Sequence, residues 1–191
     1  MSSYRFLAVI IAANVLVFVY TAFKVGVDNT AGLVELGGLV PPDYAPGEYW
    51  RYVTYAFIHN GFMHLLMNMF FLIIIGPPLE VMLGRLRMAL LFIFSVGGSA
   101  LLVMTLGSQV GIGASGFAYG LLGLYMYIIV RHKHVLDRNS RNIVLIWMAI
   151  GWLSTLFLPG ISFYGHLGGF VGGFICGFVG IGSSGTLRRW S

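Results

Sequence analysis

Six stretches of this chain are apolar almost without interruption: residues 6–23, 62–79, 88–106, 115–130, 143–158 and 163–181. Runs of this length predict membrane-spanning α-helices. They are continuous rather than alternating, which excludes a β-barrel. The expected fold is therefore all-α: a polytopic membrane protein built as a six-transmembrane-helix bundle, one domain over residues 1–191. The first run is long enough to stay as a span rather than act as a cleaved signal. Between the first two runs lies the one long connection, from Lys24 to about Gly61. It carries Pro41-Pro42, Pro46 and the aromatics Tyr44, Tyr49, Trp50, Tyr52 and Tyr55. Such rings favour the headgroup level, so this loop is expected to lie on or partly in one leaflet.

Composition and charge add sidedness. The 191 residues are 58% hydrophobic and 9% charged, against roughly 25% charged in soluble domains, and the mean hydropathy is +0.88. The net charge of +5 is no nucleic-acid footprint, because the basic residues flank spans. Arg5, Arg85, Arg87, Arg131, Lys133, Arg138, Arg141, Arg188 and Arg189 fall on one side, and only Lys24 and Arg51 on the other. Asp28, Glu35, Asp43 and Glu48 lie in the long loop. Both termini are therefore expected to be cytoplasmic, in a cell (inner) membrane, with the loop outside. Cys176 is the only cysteine, so neither an intrachain disulfide nor a cysteine metal cluster is expected.

Polar side chains inside spans are costly and by default mark function. Here they are Asn14, His64, Asn68, Ser115 and His166. His64 stands 16 residues before Glu80, Ser115 16 before Arg131, and His166 16 before the 182–185 Gly-Ser segment. At about 1.5 Å per residue each lies roughly 24 Å from the inner surface, a little below the outer edge of a core about 30 Å thick. Three helices thus bring polar groups to one level.

A serine hydroxyl needs a neighbouring base, and histidine is the usual one. Ser115 stands in Gly113-Ala114-Ser115-Gly116, and His166 is the only histidine of the last span. No acid lies within either helix, which points to a Ser–His dyad rather than a triad and leaves the outer loop as the one source of a third, acidic member. Tyr119, four residues after Ser115, shares its face and could pack on the imidazole. His64 and Asn68, at i and i+4, offer N–H donors for an oxyanion, joined by the Ser115 amide. Gly165, Gly169, Gly173 and Gly177 form one row on the last span, with Gly168 and Gly172 beside it; Gly116 and Gly120 match them on the fourth. Such faces let helix backbones pack closely. The motif is not the G-x-S-x-G elbow of soluble hydrolases, since Phe117 holds the fifth position. A competing zinc reading would use His59, His64 and His166, but no carboxylate or thiolate stands near them. His132 and His134 read as interfacial side chains.

With these residues placed, the chain resembles the rhomboid family of intramembrane serine proteases from Trp50 to Gly177. The resemblance rests on Trp50-Arg51, on His59, His64 and Asn68 in H-N-G-F-M-H-L-L-M-N, and on Glu80 with Gly84. It continues through Gly113-Ala114-Ser115-Gly116 with Tyr119, and His166 with Gly169 and Gly173. It implies a catalytic dyad of Ser115 and His166 and an oxyanion pocket of His64, Asn68 and the Ser115 amide, with Tyr119 stacked on the base. Gly113 and His59 join the oxyanion and substrate-binding set; His59 also matches, with Trp50 and Arg51, positions used structurally near the site and in the first loop. Met82 departs from the pattern: many bacterial members carry arginine there, whereas here the nearest is Arg85. The resemblance implies the minimal six-helix prokaryotic form, an endopeptidase cutting single-span membrane proteins in or near the outer part of the span. Its partners would be transmembrane protein substrates and the lipid bilayer, with no nucleic acid, no cofactor and no metal; nothing in the sequence sets an oligomeric state. A protease-dead client binder is disfavoured by the intact Ser115, His166 and Asn68 set. A small transporter or channel is disfavoured because the spans carry neither acids nor inverted repeats.

Overall fold

The computed structural model describes residues 4–107 and 110–180. Every apolar run is a helix: α1 (Arg5–Val25), α4 (Phe62–Leu83), α5 (Arg85–Leu106), α6 (Ser115–Arg131), α7 (Arg138–Phe157) and α8 (Phe163–Gly180). The long loop adds two short helices, α2 (Thr30–Glu35) and α3 (Arg51–Thr54), and a 3-10 turn at Tyr55–Phe57. By length and composition α1, α4, α5 and α7 can each cross a membrane; α6 and α8 are apolar but shorter. The protein is a helical membrane bundle. Residue 181, the 182–185 segment, Arg188 and Arg189 lie outside the described residues.

Several ends run past the apolar runs. Helix α4 continues through Pro77-Pro78 to Leu83, although two prolines remove the bonds that the Ile73 and Ile74 carbonyls would accept. The next carbonyl, Ile75, accepts the buried Tyr125 hydroxyl at 3.0 Å. Helix α7 begins at Arg138 rather than 143, because Asp137 caps it by accepting the Asn139 and Ser140 amides. The same hydrogen bonds, the Ser140 hydroxyl foremost, hold the exposed Asp137 carboxyl below its usual range.

Helix α8 packs on α5 and α6 far more extensively than any other pair of elements meets. Its two glycine rows face different neighbours. A Cβ on Gly169 would lie 2.1 Å from the Gly116 carbonyl oxygen, and one on Gly173 2.0 Å from that of Gly120. On the second row, a Cβ on Gly168 would lie 2.2 Å from the Gly98 carbonyl oxygen and one on Gly172 2.1 Å from that of Phe94. The sequence reading paired the rows with α6 alone. The second seam, against α5, turns on Gly98, and the side chains missing from Gly116 and Gly120 make room for Ser99 and Ser95 of that helix.

Helix α1 is fixed at its first turn by Glu80 of α4, whose carboxylate accepts the Phe6 amide at 2.8 Å and the Leu7 amide at 2.9 Å. The acid meets a helix N-terminus, where negative charge is favoured, and puts the Arg5 end of α1 beside the last turn of α4. In the long loop, the Arg51 guanidinium donates to Glu48 at 2.5 Å, to the Gly38 carbonyl at 2.8 Å and to the Val34 carbonyl, and lies 4.7 Å from the Trp50 ring. Tyr44, Tyr49 and Trp50 are exposed. Tyr55 is not: it is buried, with its hydroxyl donating to the Val96 carbonyl at 2.8 Å.

The seams predict a sharp contrast between two adjacent glycines of α5. Gly98→Ala sets a methyl against the Gly168 carbonyl, 2.5 Å away, whereas Gly97 faces open space. Gly98→Ala should lower the unfolding temperature in detergent. Gly97→Ala should leave it unchanged or raise it, since a helical glycine costs roughly 0.5–1 kcal/mol relative to alanine.

Candidate active site

Three helix N-termini converge on one cavity of about 710 Å³. Ser115 is the first residue of α6, His64 the third of α4 and His166 the fourth of α8. All three line the cavity, together with Asn68, Gly113 and Tyr119.

The entry to α6 is fixed from two sides. Gly111 and Leu39 exchange backbone hydrogen bonds at 2.8 and 3.0 Å, tying the segment to the long loop. The Gly113 amide then donates to the Tyr55 carbonyl at 2.9 Å, and the Ala114 amide to His59 Nε2 at 3.4 Å. Gly113 has φ +104°, and a Cβ there would lie 2.6 Å from His64 Nε2; only glycine permits this approach. Helix α6 opens with Phe117 and Ala118 both donating to the Ala114 carbonyl. The Ser115 and Gly116 amides take no backbone partner among the described residues. Both residues line the cavity, at the positive end of the helix, where an anion is favoured.

The His166 ring stacks on Tyr119, centroids 3.9 Å apart and planes 14° from parallel. Ser162 starts α8, its hydroxyl accepting the Gly165 amide at 3.1 Å and its carbonyl the His166 amide at 3.1 Å. The Nδ1 edge of His166 meets Thr155 Oγ1 of α7 at 2.8 Å rather than a carboxylate. No hydrogen bond joins Ser115 to His166 among the described residues. Such bonds are often long before substrate binds.

On α4, Asn68 Nδ2 donates to the His64 carbonyl at 2.8 Å, leaving its second N–H for the cavity. His64 Nδ1 accepts the Asn60 amide at 3.4 Å, so the ring proton sits on Nε2, which faces Gly113. Of the two places the resemblance allows His59, its contacts fit the structural one. It is completely buried and stands behind the cavity wall, edge-on to His64 with centroids 4.9 Å apart. Its Nε2 is occupied by the Ala114 amide, so it braces the α6 entry instead of meeting substrate or metal. Among the described residues no three His, Cys, Asp or Glu side chains group as metal ligands.

Thr155 was missed because it reads as one more small residue in an apolar run. Its signal was position: Val144, Met148, Gly151 and Thr155 are the buried residues of α7 and fall on one helical stripe. Asn14, chosen from sequence with the site residues, is buried in α1 and donates to the Ile10 carbonyl at 2.8 Å; it does not reach the cavity.

The Rhomboid domain family model matches residues 46–183 of this chain. Over 143 residues the chain is 36% identical to RHOMBOID-like protein 5 of Arabidopsis thaliana, an overlap of 73% of this chain and 46% of that one. With the Putative rhomboid protease YdcA of Bacillus subtilis (strain 168) identity is 31% over 133 residues, 66% of this chain and 67% of the relative. With Rhomboid protease GluP of the same organism it is 28% over 161 residues, 84% of this chain and 32% of the relative. The chain belongs to the rhomboid family. It spans under half the length of the plant relative and about a third of GluP.

Burial, aided by the neighbouring His64 ring, pushes His59 down to about 3. An unfolded histidine titrates near 6.5, so between these values the unfolded chain holds the extra proton. The stability due to neutral His59 is complete above about pH 6.5 and is lost as pH falls towards 3. The unfolding temperature in detergent should therefore drop across this window, and His59→Gln should reduce the slope. An equal slope in the variant would assign that proton uptake to other groups.

Proposed function

We propose that this protein is an intramembrane serine endopeptidase acting on single-span membrane proteins through a Ser115–His166 dyad. The observation that carries the reading is the shared cavity: it is lined by a serine at a helix N-terminus and by a histidine held by ring stacking and by a hydrogen bond at Nδ1. A base fixed at one edge presents the other, Nε2, to the nucleophile.

The chemistry then runs on this chain's own groups. Ser115 Oγ attacks the scissile carbonyl carbon while its proton passes to His166 Nε2. The carbonyl oxygen becomes an oxyanion beside the Ser115 amide, His64 Nε2–H and the free Asn68 N–H. On collapse the C–N bond breaks, and the Nε2 proton goes to the leaving amine. Water, deprotonated by the same nitrogen, hydrolyses the acyl-serine and restores the hydroxyl.

All six long helices cross the membrane in this reading. Helix α6, with 17 residues, rises only about 26 Å, which fits a span beginning below the outer surface at Ser115. Both termini are cytoplasmic, and the cavity opens to the extracytoplasmic side. Helices α4 and α7 both line the cavity and meet there, the Trp147 ring packed edge-on against Phe70 and Phe71 at centroid distances of 5.8 and 5.7 Å. A substrate segment must be locally extended before its carbonyl can be attacked, and extension is easiest where Gly or Pro weakens its helix.

The decisive experiment labels purified protein with a fluorophosphonate. Wild type should label and cleave a single-span substrate, while Ser115→Ala and His166→Ala do neither. Asn68→Ala should retain labelling with kcat lowered by about 10²–10³, the usual effect of one oxyanion donor. Cleavage surviving in purified Ser115→Ala would refute the reading.

Position of the cut is a separate test. Fragment mass spectrometry should place it in the outer portion of the client span or just outside, near small or helix-breaking residues, and leucine at those residues should slow it. Cuts confined to the cytoplasmic half would overturn the orientation.

A further inference from the structure

We propose that Thr155 is the positioning residue of the base: by accepting the Nδ1 proton of His166 it holds the imidazole in the tautomer whose Nε2 is free. The inference rests on the dyad reading above, and it comes from counting protons in a closed set of contacts.

Thr155 Oγ1 has three neighbours. It lies 2.8 Å from His166 Nδ1, 2.9 Å from the Gly151 carbonyl oxygen and 2.5 Å from the Tyr119 hydroxyl oxygen. Tyr119 also reaches the Gly151 carbonyl, at 2.5 Å. Tyr119, Thr155 and His166 are each more than nine-tenths buried, and a buried polar atom without a partner is costly. Four contacts therefore have to be satisfied by few protons. The carbonyl brings none, and each hydroxyl brings one.

If Nδ1 carries the imidazole proton, three protons serve the four contacts. Thr155 donates to the carbonyl four residues back, the usual bond of a helical threonine. It accepts from Nδ1–H, and the Tyr119 proton is shared between Thr155 and the Gly151 carbonyl. If instead Nε2 carries the proton, only two remain for the same four contacts. Thr155 would then have to donate to Nδ1, and its oxygen would face the Gly151 carbonyl at 2.9 Å with no hydrogen between. The first arrangement satisfies every atom. It is also the arrangement in which Nε2 can accept the Ser115 proton.

Thr155 does not line the cavity, so it acts through His166 rather than on substrate. It fills the orienting place that a buried carboxylate takes in a catalytic triad, with a neutral oxygen that needs no counter-charge in lipid. Its hydroxyl is in turn aimed by a backbone carbonyl of its own helix.

The test compares Thr155→Val, which keeps the shape and removes the acceptor, with Thr155→Ser, which keeps the acceptor. Thr155→Val should lower kcat and the fluorophosphonate labelling rate by roughly 10- to 100-fold, the effect of leaving a buried donor unpaired, with KM little changed. Thr155→Ser should restore most of the rate. Tyr119→Phe leaves the Nδ1–Thr155–Gly151 chain intact and should cost less than Thr155→Val. Nitrogen NMR of histidine-labelled Ser115→Ala protein reads the His166 tautomer without any turnover. It should show Nδ1–H with threonine at 155 and lose that preference with valine. An Nε2–H tautomer with Thr155 in place, or full activity in Thr155→Val, overturns the proposal. A wild type that neither labels nor cleaves refutes the dyad reading instead, and the NMR result then still decides the role of Thr155.

Discussion

The structure depends on how closely α8 approaches two other helices. In lipid there is little hydrophobic drive to bring helices together, so association rests on packing and interhelical polar contacts. Glycine occupies seven of the eighteen positions of α8, a composition that would make a poor helix in water. In a bilayer the backbone cannot give up its hydrogen bonds, and the same glycines become contact surfaces. Gly169 and Gly173 meet backbone of α6, and Gly168 and Gly172 meet backbone of α5. His166, one turn from the start of α8, is thereby set against Tyr119 of α6. Side-chain packing would hold the helices further apart and leave more play in that position.

The polar groups of the bundle obey the same economy. Almost every buried one finds a partner on a neighbouring helix or one turn back on its own. Glu80 receives two amides from α1, Tyr125 reaches a carbonyl of α4, and Tyr55 one of α5. The site is built alike, with helix N-termini, amides and neutral side chains in place of fixed charges. Its anion-favouring end is the start of α6, where the dipole and free amides supply partial positive charge without desolvating a lysine or arginine.

Much of this was legible in the sequence. Apolar runs of spanning length located every long helix, because hydropathy is a direct read of the lipid requirement. Ser115, His166, His64 and Asn68 stood out because polar atoms inside spans need a reason; equal depth linked the first three, and helical spacing added Tyr119 to Ser115. The four-residue glycine spacing exposed one seam of α8. What stayed hidden depended on distance across the fold. Gly98 stands beside Gly97 with nothing in the sequence to say which faces α8, and only the helix orientation separates them. His59 looked like a site residue until the Ala114 amide was seen to occupy it. Thr155 had the buried stripe of α7 as its clue, but its link to His166 spans two helices and no local pattern carries it.

Helix α7 is the most sparsely packed of the six long helices. It lines the cavity through Trp147, Ile150 and Gly151, and at Thr155 it touches the Nδ1 edge of the His166 imidazole. A single element thus carries both part of the cavity lining and the partner of the His166 Nδ1 edge. Linkage makes the two inseparable: whatever favours a displaced α7 weakens the contact at Nδ1, and whatever strengthens that contact favours α7 in place, by the same free energy. The seating of α7 on the bundle and the anchoring of the His166 ring are in this protein two readings of one coordinate.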